Sequence, residues 1–152
     1  MSELVFDPQD FINAANELVP AYQKSKIIAA INNETMDESD FDQIGLSLTG
    51  EKRDSGLVVP TSAPNASSGS IWGAIKGELF DYLCTTSRKY SKERKEAGIT
   101  VKNIITILAT AVASSFDIAV GVVTGAVTIA LLSALKIGKN AWCELNKPIE
   151  KV

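Results

Sequence analysis

From Ile104 to Leu135 the chain runs thirty-two residues with one formal charge, Asp117, and no other stretch is apolar enough to be buried whole. Asp117 divides the run into Ile104–Phe116 and Ile118–Leu135, thirteen and eighteen uncharged residues. At ~1.5 Å per helical residue the longer piece approaches the roughly 30 Å of a bilayer's hydrocarbon core, so by length it qualifies as a span. A helix apolar nearly all round is either the centre of a fold or a membrane segment. Ala113, Asp117, Gly121 and Gly125 stand four residues apart, and Gly121-Val-Val-Thr-Gly125 is a GxxxG. Such a ridge of small residues predicts close helix packing and self-association. Ser114-Ser115-Phe116-Asp117 is the place in the run where Ser and Asp cluster. That cluster predicts an exposed turn with Asp117 capping a second helix from Ile118, so that 101–140 forms a hairpin rather than one long helix.

Upstream, Asp7-Pro8 followed by Phe11, Ile12, Ala15, Leu18 and Val19 predicts a short amphipathic helix over 8–19. Pro20 with Tyr22, Ile27, Ile28 and Ile31 predicts a second over 20–32. Ser70 caps a long helix expected over 71–97, with Ile71, Trp72, Ile75, Leu79, Leu83 and Tyr90 as its apolar stripe and Gly98 as its stop. Residues 34–69 are acidic at first and then rich in Pro, Ser and Gly, which predicts an irregular linker, poorly ordered or ordered by a partner. A calcium loop beginning at Asp37 fails on spacing, since Asp42 stands where the loop requires Gly and Leu48 where it requires Glu. The expected fold is therefore all-α: a helical pair at 1–33, the linker at 34–69, and at 70–152 an amphipathic helix followed by the apolar segment.

Charge adds a division. Residues 1–70 carry eleven acids against four bases, and residues 71–152 eleven bases against seven acids, which sum to the net charge of −3. The basic excess gathers at Arg88, Lys89, Lys92, Arg94 and Lys95, just before the apolar run, with Lys136 and Lys139 just after it. This flanking pattern suits anionic lipid head groups or an acidic partner, with Trp142 as an interfacial anchor. It suits nucleic acid poorly, because only Tyr90 interleaves the patch and the sequence pI is near 5.0.

Chemistry is narrowed by what the residues omit. The chain contains no histidine, which removes Ser-His and Cys-His pairs and every His-containing metal set. Two cysteines, Cys84 and Cys143, cannot complete a four-cysteine zinc site, and no phosphate-binding glycine loop occurs. Ser133-Ala-Leu-Lys136 matches SxxK without companion motifs, so it reads as coincidence. No catalytic residue, metal site, cofactor or small-molecule substrate is indicated, and no enzyme is expected. Cys84 reads as a small hydrophobe on its helix. Two cysteines and no charged-then-apolar leader predict a reducing setting, the cytoplasm or the inner face of its membrane.

Two functions fit. In the first, a non-enzymatic membrane-acting or membrane-associated helical protein, an effector or pore-like, self-associates through its apolar segment. In the second, a soluble all-α subunit buries the hairpin against an obligate partner or a second copy.

Overall fold

The computed structural model describes residues 7–50, 71–84 and 100–146, and over these the chain is all-α, with no strand. Seven helices are described: α1 Pro8–Leu18, α2 Ala21–Asn32, α3 Glu38–Leu48, α4 Ile71–Cys84, α5 Val101–Phe116, α6 Val120–Ile137 and α7 Lys139–Leu145.

The N-terminal pair forms as its caps dictate. Asp7 Oδ1 accepts from the Gln9 N–H at 3.0 Å, and Pro8 fills the first helical position, where its missing N–H costs nothing. α1 buries Phe11, Ala14 and Ala15. α2 begins after Pro20 and buries Gln23, Ile27, Ala30 and Ile31. Tyr22, expected on the apolar face, is instead 77% exposed.

Residues 38–48 correct the expectation of an irregular linker across 34–69. Asp37 and Asp40 form a reciprocal capping box, Asp40 N–H to Asp37 Oδ1 at 3.0 Å and Asp37 N–H to Asp40 Oδ2 at 3.1 Å. The acidic cluster is therefore a helix start, where carboxylates complement the positive end of the macrodipole. α3 then buries Phe41 and Gly45 and packs along α6. Residues 51–69 of the expected linker lie outside the described residues. So do Ser70 and residues 85–98, which leaves Ile71–Cys84 as the described part of the expected 71–97 helix.

The apolar run is a hairpin of α5 and α6, followed after Gly138 by the short α7. α6 lies at the centre and contacts every other described helix. Twelve consecutive residues, Val123–Ala134, are buried. Each fully buried Val, Leu or Ile removes enough apolar surface to stabilise the fold by about 1.5–3 kcal/mol. α5 is amphipathic, with Ile104, Ile105, Leu108, Val112 and Ala113 inward and Lys102, Thr106, Thr110 and Ser114 outward.

Candidate functional site

The candidate site is the hairpin together with the groups that hold it closed. Its turn is a Schellman motif. Ile118 N–H donates to Ala113 O at 3.0 Å and Asp117 N–H to Ser114 O at 3.4 Å, with Asp117 left-handed at φ 57° and ψ 49°. These bonds satisfy orphan carbonyls at the end of α5. The turn is exposed, as expected, but its chemistry corrects the sequence reading: Asp117 ends α5 and does not cap α6. The cap position of α6 is Ala119, which offers no side-chain acceptor. Beside it Val120 and Val122 are 43% and 40% exposed.

The small-residue ridge divides between surface and core. Ala113 is buried on α5, Asp117 and Gly121 are exposed, and Gly125 is buried against α2 of the same chain. A Cβ at Gly125 would lie 2.1 Å from Gln23 Oε1 and 3.1 Å from Ile27 Cδ1, whereas one at Gly121 would meet only Pro20, at 4.0 Å. Glycine at 125 thus lets the Gln23 and Ile27 side chains of α2 pack directly on the α6 backbone. The Gln23 amide is 3% exposed, and its Oε1 has no hydrogen-bond partner among the described residues.

α2 runs parallel to α6, and Lys136 ties their far ends. Its ammonium donates to Ala30 O at 3.2 Å and to Asn33 O, supplying positive charge and donors to the end of α2. Lys136, expected at lipid head groups, is thus engaged within the chain. Ser133 Oγ donates to Ala130 O at 2.7 Å, so the SxxK residues serve separate helical contacts. Four threonines on these helices behave alike: Thr106, Thr110, Thr124 and Thr128 donate to Lys102 O, Thr106 O, Val120 O and Thr124 O. Each is a bond within the residue's own helix.

A polar clamp joins α3 to α4. Lys76 on α4 donates to Glu38 Oε2 at 2.9 Å and Asp42 Oδ1 at 2.8 Å, both on α3. Trp72 Nε1–H donates to the same Asp42 oxygen at 2.9 Å, and Asn146 Nδ2 reaches Glu38 Oε2 at 3.2 Å from beyond α7. The Lys76 ammonium stands 5.9 Å from the Trp72 ring centroid. Burial pulls the Lys76 pKa down, but hydrogen bonds and charge from Asp42 and Glu38 outweigh it and raise the pKa above its ordinary 10.5. A cleft of about 460 Å³ opens over Asp42, Trp72, Lys76 and Asn146, and its charged groups already bond one another.

Two further corrections concern α7. Trp142, expected as an interfacial anchor, is wholly buried in the core. Cys143 is bonded to Cys84 with Cα atoms 5.8 Å apart, so Cys84 is one end of a disulfide and not a lone packed thiol. Arg88, Lys89, Lys92, Arg94, Lys95 and the Lys139 side chain lie outside the described residues. The clamp is not legible in the sequence reading because its acids fall in the stretch that composition marks as linker. The Asp37-x-x-Asp40 spacing, followed by Phe41, Ile44 and Leu48, was the available signal.

Compared with protein-family models, curated proteins and solved structures, the chain matches none.

Proposed function

We propose that this chain is a non-enzymatic, membrane-acting helical protein that carries the α5–α6 hairpin inside a coat of α1–α4 and α7 and inserts it into an anionic bilayer. The observation that carries this reading is the hydroxyl pattern of the apolar α6, whose Thr124, Thr128 and Ser133 hydroxyls all bond within the helix. In hydrocarbon every polar group must find its partner within the protein. The bonded hydroxyls of Thr106, Thr110, Thr124, Thr128 and Ser133 already do so inside their own helices. Among the described residues, α6 is long and apolar enough to cross a membrane by length and composition. Its eighteen residues correspond to about 27 Å of helix. Val120 and Val122 at the exposed tip offer the first apolar contact. Once α2 leaves, the Gly121 and Gly125 ridge becomes the seam for α6 of a second copy, giving an oligomer. Asp117 at the tip would then face head groups or the far aqueous side. Arg88, Lys89, Lys92, Arg94 and Lys95, with Lys139, would hold the base of the hairpin at the lipid surface.

The test is release of a trapped dye from phosphatidylcholine–phosphatidylglycerol vesicles, with purely zwitterionic vesicles as comparison. Dose-dependent release favouring the anionic vesicles is expected, and its absence from both, with oxidised and with dithiol-treated protein alike, would refute the proposal.

The second reading is the soluble all-α subunit of a complex. It is favoured by the burial of Val123–Ala134 on all sides, as in the core helix of a soluble bundle. Carbonate washing of cell membranes separates the two, since an inserted hairpin stays in the pellet and a soluble subunit is released.

A further inference from the structure

The Cys84–Cys143 bond closes a loop that contains the whole of α5, the tip and α6, its sulfurs standing 59 residues apart in sequence. It joins the last described residue of α4 to α7, so it fastens the coat across the base of the hairpin. α7 has only seven residues and no side-chain cap at its start, where Gly138 sits at φ 109°. Such a helix is marginal by itself. Trp142 in the core, the disulfide, and Asn146 reaching Glu38 all hold it. Of these only the disulfide is covalent. The polar clamp that backs it is partly solvated, with Lys76, Glu38 and Asp42 side chains 20%, 24% and 35% exposed, so it would hold weakly without that bond. Both cysteines are only partly buried, and thiol–disulfide exchange depends on such access.

We infer that this disulfide is a redox clasp: oxidised, it keeps the hairpin sheathed, and reduction by a dithiol protein of the thioredoxin chemical class frees α7 and loosens the coat around α6. The exchange is balanced. A thiolate of the reductant attacks one sulfur, the Cys84–Cys143 bond breaks, and a mixed disulfide forms while the other sulfur leaves as thiolate and takes a proton. The reductant's second thiol then displaces the remaining protein sulfur, so two thiols appear here and one disulfide there. The bond persists in an oxidising compartment, and a reducing one, such as the cytoplasmic side of a membrane, supplies the dithiol. The consequence for lipid rests on the membrane reading above, whereas the clasp itself concerns the protein in solution.

The test therefore begins without lipid. Backbone hydrogen exchange is compared for oxidised protein, dithiol-treated protein and the Cys84→Ser, Cys143→Ser double variant. The expected result is exchange at least tenfold faster in α7, the end of α4 and Val123–Ala134 after reduction, with helical circular dichroism retained. The double variant should match reduced protein and ignore the dithiol. Equal exchange in both redox states, or global loss of helix on reduction, would overturn the clasp. Both cysteines titrating as free thiols after isolation from an oxidising medium would overturn it too. Dye release is then measured for the same three samples. Release confined to reduced protein and the variant supports the clasp as the control. Equal release in both redox states overturns that control, and faster exchange with no release from any sample leaves the clasp standing and removes the membrane reading.

Discussion

Asp117 shows how much one residue can do without its charge. Its left-handed backbone costs an ordinary L residue about 1–2 kcal/mol, and Asp and Asn bear it more easily than most because their short side chains bond locally. Asp117→Asn should therefore leave stability within ~0.5 kcal/mol of the parent, and Asp117→Gly should equal or exceed it. Asp117→Val should lose about 1–2 kcal/mol in urea denaturation. A loss for Asn as large as for Val would mean that the carboxylate is needed for its charge. The position of the turn was legible from the Ser and Asp cluster, but its type was not. An N-cap and a left-handed terminator favour the same residues, and only the bonds from Ile118 and Asp117 back to Ala113 and Ser114 separate them. Trp142 carries a similar lesson, since a Trp near the end of an apolar run looks alike in sequence whether it meets head groups or fills a core. The pairing of Cys84 with Cys143 was illegible because it depends on α4 and α7 meeting in space.

Among the elements, periodicity and caps located α1, α2 and the apolar hairpin, while α3 was lost to its own acidity. Its contact with α4 depends on Gly45, where a Cβ would lie 2.4 Å from the Trp72 ring. A rigid indole cannot yield as a side-chain tip can, so Gly45→Ala should lose about 1–3 kcal/mol in denaturant despite the better helix propensity of alanine. At the α2–α6 contact the obstacle is the movable end of Gln23. There Gly125→Ala should be destabilising alone and largely rescued by Gln23→Ala, with a coupling of about 0.5–3 kcal/mol in a double-mutant cycle. Additive effects would show that the two do not touch. The clamp predicts a pH dependence of definite sign. Lys76 has its pKa raised on folding, so its contribution is fully present below 10.5 and is lost as pH climbs through the folded value. Partial exposure of all three side chains keeps that contribution to about 1 kcal/mol. Lys76→Met should therefore be less stable than the parent at pH 8, and the gap should close on alkaline titration above 10.5. A gap that persisted there would assign the loss to packing on Trp72.

At the scale of the molecule, an apolar helix sits at the centre of the six other described helices, and the coat includes the helix whose composition reads as linker. The need for an outside partner to cover the apolar run, which motivated the soluble-subunit reading, is correspondingly reduced: α6 is covered by its own chain. The disulfide adds a constraint on the unfolded chain. By the loop-entropy relation, a closure of this length stabilises the fold by about 4 kcal/mol. A fold that keeps its most apolar segment inside, with that segment's bonded hydroxyls already satisfied, is suited to delivering it elsewhere, and this is the central claim. The most direct measurement incubates the protein, with dithiol present, with phosphatidylcholine–phosphatidylglycerol vesicles, digests the outside with protease, and identifies the surviving peptides by mass. The account predicts a vesicle-protected fragment spanning α5 and α6 that resists carbonate extraction. Complete digestion of 101–137, with intact protein recovered only in the supernatant of undigested samples, would contradict it.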